Sequence, residues 1–359
     1  MRLLGYLIGP LALVAAYLLF WPVPIDPAAW TPPPMPSDRH PYNEALKGIE
    51  RLAEGVGRGP EGIAIDDAGR LYTGYDDGRV MSFDRDGGDP RLLADTGGRP
   101  LGLSFAPHGG LVVADAVQGL LLVDDSGVKT LSREADGLAF KFVDDVDRAH
   151  FDARVFFSDA SSRFGIHEVM SDAFEHRPNG RLLEYDFDTG QTRVLLSGLY
   201  FANGVAVGPE DAYVLVSETT EYRIRRYWLK GEKAGTSDVF VDNLPGFPDN
   251  LSYDGEGRIW VALYAPRQSL LDALLPRPYL RKLVFRLPEF LHPAPVHHAW
   301  VLGFDLDGRL VADLQYRGDG AYAPITSVER TGEMLYMGSL TATAIGRLPL
   351  AAVPQRATP

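Results

Sequence analysis

Three short polar turns recur at the same point of a repeated unit: Gly59-Pro60-Glu61-Gly62, Phe201-Ala202-Asn203-Gly204 and Phe247-Pro248-Asp249-Asn250. Each runs into an apolar, β-type stretch: Ile63-Ala64-Ile65, Val205-Ala206-Val207 and Leu251-Ser252-Tyr253. If the units are radial, all three turns point at one central spot. Glu61, Asn203, Asp249 and Asn250 then gather carboxylate and carboxamide oxygens, the donor set that a hard cation such as Ca²⁺ takes. Any one of these positions alone reads as turn chemistry, because Asn-Gly and Asp-Asn cap turns without a ligand. It is the recurrence at matching positions that points to a metal.

The elements that must hold these turns are β throughout, from about Asn43 onward. Six runs, each rich in β-formers and closed by a small or acidic residue, begin at Leu71, Leu111, Val155, Tyr213, Ile259 and Leu335. Their starts are 40, 44, 58, 46 and 76 residues apart, which suits four-stranded propeller blades with insertions. Arg79–Asp84, Gly119–Asp124, Arg181–Asp186 and Ile224–Trp228 read as outer strands, each following an inner one. The expected fold is an all-β, six-bladed propeller over residues 43–350. Residues near Ile49–Leu52 are expected to join the last blade and close the ring, which removes an open edge. The widest gap holds an insertion, 267–292, in which Arg267, Arg277, Arg281, Lys282 and Arg286 stand against Asp272 and Glu289 among many leucines. Pro276, Pro278 and Pro288 limit it to two short helices. It reads either as a lid or membrane-contact element, or as a cap packed on the propeller with its basic face solvated.

Charge and composition exclude several classes. The 359-residue chain carries a net charge of -13 and has no Lys/Arg tract, which argues against nucleic acid as a partner. It has no cysteine, so disulfides, zinc–thiolate sites and a cysteine nucleophile are excluded. Leu3 to Val23 contains no charged residue and can span a bilayer core of about 30 Å. With Arg2 before it and Asp26 after it, this stretch reads as a signal anchor over 1–23 with the body on the extracytoplasmic side. A cleaved signal peptide is the alternative. Eight prolines between Pro22 and Pro41 make 24–42 a stiff, extended linker; 351–359 is a short tail.

Several ordered motifs resemble one family. They are Lys141-Phe142-Val143-Asp144-Asp145-Val146-Asp147, Phe156-Phe157-Ser158-Asp159-Ala160-Ser161-Ser162, Gly180–Asp186, Phe201–Val205, Ser217-Glu218-Thr219-Thr220 with Arg223–Arg226, and Leu244–Asn250. Over about residues 45 to 348 the chain resembles the strictosidine synthase-like family, most of all its adipocyte plasma-membrane-associated branch. That family shares its propeller with gluconolactonases and paraoxonases. The resemblance implies a central calcium at Glu61, Asn203, Asp249 and Asn250, with Asp144 standing where paraoxonase-like relatives have an Asn ligand. It places Asp145 at the following acidic position. The paraoxonase histidine pair has no counterpart that aligns; His167 and His297-His298 read as surface or supporting residues. Glu329 lies in the part of the chain where strictosidine synthases carry their catalytic glutamate, and it also reads as a strand-end carboxylate.

The expected chemistry is calcium-dependent hydrolysis of a carboxylic ester or lactone. Asp249, Asp144 or Asp145 would accept a proton from water, and the cation would stabilise the oxyanion. Two other classes stay open: an amine–aldehyde condensing enzyme, and a membrane-tethered binding module whose ion is structural.

Overall fold

The computed structural model describes the chain from Arg2 to Val353. Six four-stranded antiparallel sheets form the body, five of them with their strands in chain order. Contacts between blades run mainly through the first strands, so these line the axis. They are Ile63–Ile65 (blade I), Pro100–Phe105 (II), Val143–Arg148 (III), Ala202–Val207 (IV), Gly246–Tyr253 (V) and Ser327–Thr331 (VI). The six β-rich runs found in the sequence are the second strands of the blades. Second strands are sandwiched between neighbouring blades, and Leu111–Asp115 and Tyr213–Glu218 are buried at every position, so they make the longest apolar runs. First strands give up apolar positions to the axis.

Ring closure is as expected. Glu50–Leu52 pairs antiparallel with Ile345–Pro349 as the outermost strand of blade VI, with Glu50 opposite Arg347 and Leu52 opposite Ile345.

Among the described residues, four α-helices stand outside the blades: α1 (Arg2–Phe20), α2 (Val169–Glu175), α3 (Ser269–Leu274) and α4 (Pro278–Phe285). The last two form the expected insertion, broken at Pro276. Pro278 occupies the first turn of α4, where a missing N–H costs nothing. A 3₁₀ turn, Glu289–Leu291, follows. α2 lies in a second excursion, within blade III, and packs on α4. Together α2, α3 and α4 make a cap.

The proline-rich 24–42 segment is extended, but it does not stand off as a stalk. It is strapped to the body. Ile25 is buried with Phe164 and Phe174. Ala28 N–H donates to Glu175 O at 3.0 Å and Trp30 N–H to Leu275 O at 3.2 Å. Prolines lack an N–H, so their carbonyls are what the segment offers. The body answers with donors: Arg267 to Pro33 O at 2.7 Å and Asn243 to Pro34 O at 2.9 Å. The expected anchor over 1–23 begins at Met1, which lies outside the described residues; the 351–359 tail lies outside them beyond Val353. Among the described residues, no helix is long and apolar enough to cross a membrane.

Candidate metal centre and adjoining cavity

The mouth of the propeller is built by β-bulges. Register breaks between Pro100 and Leu103, Val143 and Val146, Ala202 and Val205, and Pro248 and Leu251. Four first strands are thus bulged at the same end. A bulge frees residues from the ladder and re-aims their side chains. The freed residues include Asp144 with Asp145, Asn203, and Asp249 with Asn250. Blade I supplies Glu61, two residues ahead of its first strand. Glycines let the strands crowd there: a Cβ on Gly204 would lie 2.4 Å from Asp249 O and 2.5 Å from Asn250 Cα.

All five expected ligands are buried at this end, with Glu61 1% and Asp249 4% exposed. Asn250 Nδ2 donates to Glu61 Oε1 at 2.9 Å. The backbone of Glu61 is held by blade VI, whose Ser327 Oγ donates to Glu61 O at 2.6 Å. Ser217 Oγ fixes Asp249 O at 2.8 Å. Three acceptor oxygens then find no donor: Glu61 Oε2, Asn203 Oδ1 and Asn250 Oδ1. Orphaned buried acceptors are costly, and a cation satisfies them. The electrostatics agree. Burial pushes Glu61 up to about 7 against the pull of Arg99. Burial, then the charge of Glu61, holds Asp144 and Asp249 well above the usual carboxylate range. Against these carboxyls stands Arg99, a buried cation. The oxygen-only donor set and the excess of acidic groups fit Ca²⁺ better than a softer metal. Among the described residues no three Asp, Glu or His side chains are already drawn together at metal-holding geometry, so closure on an ion needs the amide oxygens of Asn203 and Asn250.

Asp145 differs from this set in its hydrogen bonding. Its Oδ2 accepts Val205 N–H of blade IV at 2.8 Å and its Oδ1 accepts Val146 N–H at 2.9 Å. It therefore staples blade III to blade IV. It also lines the polar channel below the mouth, with Asp147, His150, Ser252, Ser327 and Glu329. Burial, then Asp147 and Asp145, raises Glu329 well above the carboxylate range. Its place in the channel sets it apart from the mouth. His167 and His297 are exposed, and buried His298 stacks on Trp300 at 4.8 Å.

Two features escaped the sequence. Arg99 precedes Pro100-Leu101-Gly102, which repeats the Pro60-Glu61-Gly62 pattern with Leu in the ligand position; that repeat was its signal. The other is an apolar cavity of about 150 Å³ beside the mouth. Phe201, Phe247, Tyr222 and Tyr264 form its floor; Phe174 and Leu274 belong to its roof. Phe201 and Phe247 each sit two residues before a candidate ligand. Tyr264 is raised by burial and then by the Asp249 carboxylate, which places its phenol within the field of the mouth. His176 is part of the wall. It is covered by Trp30, stacked at 4.7 Å, and burial pushes it down to about 4, so it is neutral at pH 7. No local pattern marks it, because its partners come from distant segments.

The chain is similar to known proteins. A strictosidine synthase family model matches residues 144–232, and a strictosidine synthase-like N-terminal model matches residues 38–83. Protein STRICTOSIDINE SYNTHASE-LIKE 6 of Arabidopsis thaliana is 38% identical over 330 residues, covering 90% of this chain and 86% of its own. The human adipocyte plasma membrane-associated protein is 36% identical over 357 residues, covering 92% and 85%. Among solved structures, a gluconolactonase from Xanthomonas campestris superposes with a TM-score of 0.60 at 17% identity, covering 92% of this chain and 98% of its own. The calcium-binding protein regucalcin from Agrobacterium tumefaciens does so with a TM-score of 0.59 at 15% identity, covering 83% and 92%. At such identities the solved structures establish the propeller alone; the relatives, matching along nearly the whole chain, establish that this protein belongs to the strictosidine synthase-like family.

Proposed function

We propose that this protein hydrolyses carboxylic esters or lactones bearing an apolar acyl or aryl group, with Ca²⁺ held by Glu61, Asp144, Asn203, Asp249 and Asn250. The observation that carries this reading is the set of three donorless oxygens, buried among carboxyls at the mouth. The names of the propeller neighbours, gluconolactonase and calcium-binding regucalcin, are consistent with it. When bound, the cation would polarise the substrate carbonyl and stabilise its oxyanion. The cavity excludes water from the apolar part of the substrate; a dry cavity of about this size takes up a benzene-sized group. Asp249 is the carboxylate assigned to accept a proton from water, since it stands at the mouth and in the field of Tyr264. Asp145 is assigned a positioning role, because backbone amides engage both its oxygens. The membrane assignment of the N-terminus rests on the uncharged run Leu3–Val23 and on the name of the adipocyte plasma membrane-associated relatives.

The test is hydrolysis of phenyl acetate and of simple lactones by the full chain in detergent, with Ca²⁺ and after EGTA. The full chain is used because Ile25 and Trp30 belong to the cap. Turnover that vanishes with EGTA and returns with Ca²⁺ is the expected result. The family match favours a second reading, amine–aldehyde condensation, which predicts EGTA-insensitive imine formation. A rise in melting temperature with Ca²⁺ and no turnover would instead make the ion structural and the propeller a binding module.

A further inference from the structure

Many of the exposed apolar side chains of this molecule lie on α1 and the cap. Beyond α1, the cap presents Leu270, Tyr279, Leu280, Phe290 and Leu291 to the outside, with Phe290 83% exposed. A soluble monomer rarely gathers such residues without a partner for them. The end of α1 is fastened to the cap. Arg286 of the cap donates to Trp21 O at 2.6 Å and to Leu18 O at 3.1 Å, and Tyr17 OH donates to Arg286 O at 3.1 Å. Phe20 and Trp21, at the end of α1 that Arg286 holds, are exposed as well. Basic side chains ring these residues: Arg277 and Arg163 are exposed, and Lys282 and Arg177 are partly so, with Asp26 pairing Lys282 and Arg177 and Glu175 pairing Arg163.

We propose that the cap face seats on the interfacial layer of an anionic phospholipid bilayer, with α4 along the surface and Phe290 and Leu291 dipping below the headgroups. Aromatic and aliphatic side chains inside a ring of basic side chains match that layer chemically. Contact is a property of the cap itself and does not require α1 to span. Val169 and Met170, which lie on the cavity wall, are exposed as well. A bilayer-dissolved apolar molecule could therefore reach the cavity without crossing water.

The absence of cysteine permits a direct test. Phe290→Cys and, on an outer strand of blade II, Val128→Cys are each labelled with an environment-sensitive fluorophore in the full chain. Both are compared in phosphatidylcholine and phosphatidylcholine–phosphatidylglycerol vesicles. At position 290 the emission is expected to shift to the blue and to be quenched by lipids spin-labelled near the headgroup, more so with phosphatidylglycerol. At position 128 it is expected to do neither, although the same α1 is present. Water-like emission at position 290 in both vesicles would overturn the proposal. So would a blue shift that lipid quenchers do not reach and that grows with protein concentration, which would mark a second copy or another protein as the occupant. Neither readout depends on turnover, so the proposal and the hydrolase reading fail separately.

Discussion

The mouth of the central channel and the channel below it are lined by the same residue types on the same strands, yet hydrogen bonding divides them. Below, Asp145 and Asp147 each accept two backbone amides: Val146 and Val205, and Arg148 and Val207. At the mouth, Glu61 Oε2, Asn203 Oδ1 and Asn250 Oδ1 accept none. A carboxylate met by backbone donors is a strut; the acceptors left without donors are those that the proposed cation would satisfy. Asp145 meets two such amides, while Asp144, its neighbour on the same bulge, lies among the carboxyls of the mouth.

The largest expected break between the two ends is Asp249→Ala, which should abolish Ca²⁺ binding by calorimetry and ester or lactone turnover together. Activity surviving in that variant would sink the metal-centred mechanism. Next comes Gly204→Ala, whose Cβ collides with the backbone of Asp249 and Asn250. Overpacking of this kind costs about 1–3 kcal/mol; Ca²⁺ affinity should fall along with the melting temperature, since the shifted atoms belong to the site.

Asp172 sharpens the comparison, because its Oδ1 also lacks a donor while lying in the cap, away from other candidate ligands. Burial raises it from 3.8 to about 6, so the folded protein holds this proton longer than the unfolded chain does. The associated stability is complete below the unfolded value and is lost as pH rises through about 6. The difference of about 2 is worth up to about 3 kcal/mol. Asp172→Asn should therefore melt higher than the parent at pH 8 and lose that advantage by pH 4. An advantage independent of pH would show that the carboxyl is not the cause. The smallest effect is expected from Asp147→Asn, which offers an N–H to a backbone N–H. Urea unfolding should report a loss of about 1–2 kcal/mol, with Ca²⁺ affinity unchanged.

Much of this was legible in the chain. The blade period, the ring-closing segment, the broken helical insertion and the polar turns all follow from local patterns that the fold preserves. The cap was not legible as a whole, because α2, inserted within blade III, meets α4 from a distant part of the chain. The separate fates of Asp144 and Asp145 were hidden too, since no spacing reveals which acceptor a neighbouring blade will meet with an amide. The strap of residues 24–42 was misjudged for a related reason. Proline content predicts extension, but the Arg267 and Asn243 side chains that bind the Pro33 and Pro34 carbonyls lie more than two hundred residues away.

The closure of blade VI carries a consequence for how this chain is made. Glu50 meets Arg347 across almost the whole sequence, and a pairing that distant forms slowly. During synthesis the strand Glu50–Leu52 emerges long before its partner Ile345–Pro349. Until then five blades can assemble as an open arc with two unpaired edges, a state prone to aggregation. Translation that stops before residue 345 leaves the ring open for good, so an early stop near the C-terminus should be as damaging to yield as one that removes an entire blade.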